Sequence, residues 1–412
     1  MFTLITLVLG LSSVVNAWLP HERNLFGAQP DSIFVYFAAG KGRTIKRYLP
    51  SFNKIRAVNL GSLFVIEPWM VSKKWGDMGC GDMRSEFDCV KLLGQKAADV
   101  KFQEHWNTWI TTSDMDKIKE YGINTIRVPV GYWMVESLVT SDEYFPRGGL
   151  KFLDRLVGWA ADRGIYVIID HHGAPRAQEV TQPFTGQWVT ETGYYQTSEY
   201  ERAYKFLQNM TERIHTNNAY RTTGMIQVLN EPERGHPTLV SSYYPNAYDK
   251  IRAIETKYGV TSDKLISIQF MDSAWGAGNA KPVLGDKPGV VYDSHRYLKW
   301  STINHTKANY VSTSCADTFG ENFNTPLMVG EWSISVKTEL EWNSDFDPNV
   351  AANKIFYRQW WAAQVTAYEK QLGWAFWSWK TQLNDYRWGY KQAVEAGVIP
   401  KNPGEAAELA GC

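Results

Sequence analysis

Eight short runs rich in apolar and β-branched residues recur along this chain, separated by longer stretches with apolar residues at helical spacing. In order the runs are "IRAVNLGSLFV", "NTIRVPV", "IYVIIDHH", "MIQVLNEP", "LISIQFM", "GVVYDSHRY", "LMVGEW" and "GWAFWSW". The stretches between them include "SDMDKIKEYG", "LKFLDRLVGWAADRG", "YERAYKFLQNMTERIHT", "PNAYDKIRAIETKYG" and "NKIFYRQWWAAQVTAYEKQLG". Several of these end in Gly, a common helix stop. Strands alternating with helices imply parallel pairing. Eight such strands, each nearly continuous in apolar residues, predict a closed (β/α)8 barrel, one domain over residues 18–412. An open doubly wound sheet is the competing arrangement, but no Gly-rich phosphate loop follows any strand to support it.

The opening "MFTLITLVLGLSSVVNA" is too short for a membrane span and ends in small residues, Val15-Asn16-Ala17. It reads as a secretory signal over residues 1–17, cleaved before Trp18, although it lacks a Lys or Arg. No later stretch is long and apolar enough to span a membrane, so a secreted protein is expected. Four cysteines fit that compartment and allow three pairings. Cys80 and Cys89 flank the loop "CGDMRSEFDC", so a local bridge is expected, which leaves Cys315 to pair with Cys412. Asn209 in "NMT" and Asn304 in "NHT" are N-glycosylation acceptors if exposed. Lys plus Arg and Asp plus Glu both number 43, which argues against an electrostatic nucleic-acid binder.

In a barrel of this kind the active site forms at the C-terminal ends of the strands. The unusual polar residues of this sequence fall at those ends: Glu67, Arg127, Asp170, His171 and His172, Asn230 and Glu231, Asp293, His295 and Tyr297, and Glu331. Glu231 and Glu331 end the fourth and seventh strands, so their side chains can meet across one cleft. Two carboxylates flanking a substrate are what glycosidic bond hydrolysis needs: one protonates the leaving oxygen, and the other attacks or activates water. Spacing along the chain leaves open whether configuration is retained or inverted. Arg127 and Tyr297 can hold the Glu331 carboxylate, and Asn230 can bond a sugar hydroxyl. His172 and His295 either bind hydroxyls near the cleaved bond or are satisfied buried histidines. Trp377 can form a floor for a sugar ring, while Trp332 and Trp379 read equally well as core. The chain's 18 Trp and 22 Tyr exceed what packing alone requires.

Other chemistries fit less well. A metal site from His171, His172 and His295 is set aside because the glutamate pair already accounts for the chemistry. No G-x-S-x-G elbow is present for an esterase. A non-catalytic sugar-binding protein would keep the aromatics but has no need of two convergent carboxylates.

"VLNEP" and "VGEWS", with their glutamates one hundred positions apart, resemble glycoside hydrolase family 5, a retaining barrel family. "IRAVNLGSLFVIEPWM", "NTIRVPVGYWM", "DHHGAP", "DSHRYLKW" and "GWAFWSWK" are similar to its fungal secreted β-glucanase branch. "WLPHERNLF", "MGCGDMRSEFDCV", "PFTGQ", "SSYYPNAYDKIRA", "AYEKQLGWAFWSWKTQLNDYRWGY" and "AGVIP" look most like the endo-β-1,6-glucanases of that branch. The resemblance implies Glu231 as acid/base and Glu331 as nucleophile. It implies substrate-binding or supporting roles for Arg127, His172, Asn230, His295, Tyr297 and Trp377. Glu67 matches a position that binds glucose in exo-glucanase relatives. His171 departs from the pattern, which usually has Leu there. The expected enzyme is a monomer acting on β-1,6-glucan without cofactor or metal, and an exo-β-1,3-glucanase is the alternative. Its activity is expected to peak on the acid side of neutral.

Overall fold

The computed structural model describes residues 45, 49, 52–275, 278–319 and 326–412. The expected signal segment, its cleavage point before Trp18 and the "WLPHERNLF" stretch lie outside them. The eight strands are β1 (Ile55–Asn59), β2 (Thr125–Gly131), β3 (Tyr166–Gly173), β4 (Thr223–Gln227), β5 (Ser267–Met271), β6 (Val290–Arg296), β7 (Leu327–Trp332) and β8 (Gly373–Phe376). All pair in parallel with their chain neighbours, and β8 closes on β1 through Ala57↔Ala375 and Val58↔Phe376. The (β/α)8 barrel is therefore closed, as the alternation of strands and helices predicts. Helices Leu150–Asp162, Thr197–Thr216, Tyr244–Lys257 and Asn353–Tyr368 cover the outside. Gly164 stops the first of these with φ +67, a conformation that an L side chain resists. The repeat is imperfect between β5 and β6, where the one helix among the described residues is the single turn Lys281–Leu284.

Alternation along each strand divides the core in two. Ile55, Ala57, Tyr166, Ile168, Met225, Val291, Met328 and Ala375 fill the lower barrel interior. Val58, Ile126, Val128, Val167, Ile169, Ile226, Tyr292, Val329 and Phe376 face the helices instead. Trp332 and Trp379 are fully buried in this outer layer. Above the apolar interior, the next inward positions are Asn59, Arg127, Asp170, Gln227 and Asp293, every one buried. A polar layer thus caps an apolar one and forms the base of the cleft.

Disulfides join Cys80 to Cys89 and Cys315 to Cys412. The second ties the chain's last residue to helix Lys307–Cys315 across a sequence separation of 97. Asn209 and Asn304 are exposed. Among the described residues, no helix is long and apolar enough to cross a membrane.

Candidate active site

Arg127 organises the polar layer. Its Nη1 donates to Asn59 Oδ1 at 2.8 Å and to Glu331 Oε1 at 2.9 Å. Its Nη2 donates to Gln227 Oε1 and to Asn230 Oδ1, each at 2.8 Å, and lies 3.0 Å from Asp170 Oδ2. The guanidinium is wholly buried, and burial alone would disfavour its charge. The carboxylates of Asp170, Glu331 and Asp293 reverse that and hold it charged. Arg127 lies behind the cleft wall and touches groups that face the cleft.

Glu331 reaches the cleft because of a bulge. Pairing between β6 and β7 runs Ser294↔Val329 and then His295↔Glu331, so Gly330 is the extra residue. Without that residue Glu331 would share the helix-facing side of Leu327 and Val329. Position 330 tolerates no side chain: a Cβ there would lie 2.2 Å from Asp293 Oδ1, which accepts the Gly330 N–H at 2.7 Å. Tyr297 Oη donates to Glu331 Oε2 at 2.9 Å. Burial pushes the Glu331 carboxyl above its ordinary value; the charges of His295 and Arg127 pull it back, and Glu231 adds to the rise.

Glu231 sits at the opposite wall, four residues past the end of β4, with φ +35. A non-glycine residue in that left-handed region stores of order 1–3 kcal/mol of strain and persists only where its surroundings over-determine it. The surroundings include Gln178, whose Nε2 donates to the carbonyls of Asn230 and His172. Gln178 O accepts the Glu233 N–H at 2.9 Å, so one loop residue clips both sides of Glu231. Glu231 Oε1 lies 2.5 Å from His295 Nδ1. Burial opposes a charge on His295, but Glu331, Asp293 and Glu231 outweigh it and hold the imidazole well above its ordinary value. Like Arg127, His295 stands behind the cleft wall and meets carboxylates.

Glu67, His172, Asn230, Tyr297 and Trp377 line the cleft with both glutamates. Asn230 Nδ2 is buried and has no hydrogen-bond partner among the described residues. His172 is held by Asp170 Oδ2 at 2.6 Å and lies parallel to Trp377, ring centres 5.6 Å apart. Glu67 accepts from Trp69 Nε1 at 2.9 Å through Oε2, while Oε1 has no partner. Burial raises Glu67 to about 7, with His172 and Trp69 opposing the rise. His171 is on the other face of β3, against Phe206 of helix Thr197–Thr216, and its Nδ1 pairs with Val228 O at 2.9 Å. The unusual histidine is thus a core residue facing away from His172, and the two cannot share a ligand.

Sequence reasoning did not find the aromatic rim: Trp69, Trp275, Trp300, Trp342 and Trp388 also line the cleft. They sit on loops, where neither strand period nor helix period marks direction. Only the excess of tryptophan announced them. Asp170, Asn59 and Gln227 were equally missed as a network, although inward-facing polar residues at three strand ends carry the signal. Among the described residues, Glu231, His295 and Glu331 form one group whose ligand-type atoms lie within 4.8 Å of one another. A metal there would compete for the atoms that join the two carboxylates to His295.

A family profile, Cellulase (glycosyl hydrolase family 5), matches residues 93–383. The chain belongs to glycosyl hydrolase family 5. This family 5 chain is a glycosidase, and two convergent carboxylates at barrel strands 4 and 7 suit that chemistry. It is 49% identical over 395 residues to glucan endo-1,6-beta-glucosidase B of Emericella nidulans, covering 94% of this chain and 95% of that one. It is 30% identical over 390 residues to a probable glucan 1,3-beta-glucosidase A of Aspergillus fumigatus, covering 84% and 87%. In fold it is similar to the crystal structure of rutinosidase from Aspergillus niger, with a TM-score of 0.66, 18% identity, and 84% and 97% of the two chains covered.

Proposed function

We propose that this family 5 glycosidase is a secreted, retaining endo-β-1,6-glucanase. The observation that carries the mechanism is the approach of Glu231 and Glu331, whose nearest oxygens lie within 4.8 Å. Retaining enzymes separate their two carboxyl groups by about 5–5.5 Å, whereas inversion needs about 6.5–9.5 Å to seat a water. In this reading Glu331 attacks the anomeric carbon while the leaving oxygen takes a proton from Glu231. The covalent glycosyl–enzyme is then hydrolysed by a water that Glu231 deprotonates. Arg127 and Tyr297 hold the attacking carboxylate by one oxygen each. His295 shares its Nδ1 with Glu231 and supplies the local positive charge between the two carboxylates. Asn230 Nδ2 is the donor for a hydroxyl of the sugar at the cleaved bond, and Trp377 with His172 forms its floor.

The linkage rests on similarity. Identity of 49% to a glucan endo-1,6-beta-glucosidase against 30% to a probable glucan 1,3-beta-glucosidase, each over most of the chain, supports β-1,6. Secretion is supported by the leader-like first 17 residues and by two disulfides. Assaying the purified enzyme on linear β-1,6-glucan and on laminarin, with product sizing, tests the reading. Release of oligomers from the β-1,6 polymer is expected. Glucose released from laminarin alone would overturn it in favour of exo-β-1,3 action.

A further inference from the structure

The ladder between β3 and β4 ends at Asp170↔Gln227. Beyond it the Asn230 N–H still donates to His171 O at 3.0 Å. The carbonyls of His172 and Asn230 come next. Both are acceptors, so neither can satisfy the other, and a buried carbonyl left unpaired is costly. A group with two N–H donors is needed to serve both. Gln178 supplies it: its Nε2 donates to His172 O at 2.7 Å and to Asn230 O at 3.0 Å. Its Oε1 accepts from the Ala174 N–H at 3.1 Å. Both halves of the amide are therefore used, and Gln178 has no solvent exposure.

The backbone of Gln178 acts on the far side of Glu231. Its carbonyl accepts from the Glu233 N–H at 2.9 Å and from Tyr195 Oη at 2.6 Å. Glu233 is held from outside as well: its Oε2 accepts from Thr192 Oγ1 at 2.8 Å and lies 2.9 Å from His236 Nε2. The His236 ring lies flat on Tyr195, ring centres 3.5 Å apart. The chain on both sides of Glu231 is thus tied to one glutamine. Arg176 and Ala177, just before that glutamine, stand at φ +60 and +62, and Glu231 stands at φ +35. Left-handed non-glycine residues on both partners of one contact mark a geometry that its surroundings over-determine. His172, Asn230 and Glu231 line the cleft, whereas Gln178 stands behind them. Its influence on the reaction passes through the backbone.

We propose that Gln178 is the positioning residue of the proton donor: it aims the Glu231 carboxyl at the leaving oxygen by fixing the chain on either side. The inference rests on the two-glutamate reading. As the bond between the anomeric carbon and the leaving oxygen breaks, Glu331 forms the new bond to carbon and the leaving oxygen takes the Glu231 proton. A misplacement of about 1 Å can cost ~10²-fold in such a step. That loss has a signature, because it falls on leaving groups that need the proton and spares those that do not.

The test compares kcat/KM on 2,4-dinitrophenyl and phenyl β-gentiobiosides for the wild type, Gln178→Met, Gln178→Glu and Glu231→Gln. Dinitrophenolate leaves without a proton, and phenolate needs one. Both Gln178 replacements keep the side-chain length and remove the Nε2 donors; the Glu variant decides if the Met variant does not fold. The ratio of kcat/KM on the dinitrophenyl substrate to that on the phenyl substrate should rise about tenfold or more, through loss on the phenyl substrate. Glu231→Gln should raise it further, by ~10²-fold or more. If Glu231→Gln raises the ratio and the Gln178 variant lowers both substrates equally, or changes neither, the positioning role is overturned. A ratio unmoved in Glu231→Gln overturns the acid assignment, and the inference with it. Cleavage of the matching laminaribiosides alone would overturn the linkage reading instead, and the same ratio on that pair then decides the role of Gln178.

Discussion

Arg127 Nη1 donates to Glu331 Oε1 at 2.9 Å from a site with no solvent exposure, and the same nitrogen donates to Asn59 Oδ1. One guanidinium therefore fixes the Glu331 carboxylate relative to β1, and through Asn230 relative to the loop that carries Glu231. Arg127→Met leaves Asp170 and Glu331 without their counter-charge in a buried layer. Removing one partner of such a set costs about 3–5 kcal/mol. Chemical denaturation should show that loss, together with a fall in kcat larger than the change in KM. Wild-type stability in the variant would refute the organising role.

Glu331→Gln keeps the shape of the side chain and removes the carboxylate that the proposed mechanism uses as nucleophile. Turnover should drop by at least about 10³-fold, because groups that act as a unit lose nearly all their effect together. Binding of an unreacted β-glucan oligomer, read by calorimetry, should persist. A mutant that retains full activity would end the two-glutamate mechanism.

The pH profile follows from two groups. In the proposed mechanism Glu331 must be ionised to attack, and burial raises it above its ordinary value. Activity should therefore fall as pH drops through that raised value. His295 is held well above its ordinary value, so the charge between the carboxylates survives into neutral pH and is lost as pH rises further. A bell with an acid limb and an alkaline limb is expected in kcat/KM. A rate still climbing above pH 8 contradicts the assignment.

Glu67 links the site to stability. Its carboxyl sits at about 7 in the fold against 4.5 unfolded, so the folded state holds the proton more tightly. The stability this confers is fully present below pH 4.5 and is lost as pH rises through 7. The rise from 4.5 to about 7 corresponds to a contribution of order 3 kcal/mol. Glu67→Gln should raise the melting temperature relative to wild type at pH 8 and leave it little changed at pH 4. An equal effect at both values would show that Glu67 is not protonated in the fold.

Gly330→Ala would force a methyl group into the Asp293 carboxylate. Overpacking of this kind costs about 1–3 kcal/mol, and the bulge that aims Glu331 must move. Loss of kcat disproportionate to the loss of stability is expected. A fully active Ala variant would show that the bulge is not needed.

Much of this molecule was legible before any coordinates. Strand and helix periods are local covalent properties, so eight alternating units and their strand ends could be read directly, and with them Glu231, Glu331, Arg127 and Tyr297. The disulfide pairing was readable too, because Cys80 and Cys89 lie nine positions apart and the second pair follows by elimination. What the chain alone could not disclose depends on pairing between distant segments. Counting by twos along β7 would turn Glu331 toward the helices, and only the β6–β7 register shows the bulge at Gly330 that returns it to the cleft. The same holds for His171, a member of "DHH" in sequence and a core residue against Phe206 in the fold. It holds also for Trp300 and Trp342, which lie on loops without periodicity. A partly buried ion pair between Lys299 and Glu341, on the loops after β6 and β7, joins the segments that carry those indoles, and no local propensity announces it.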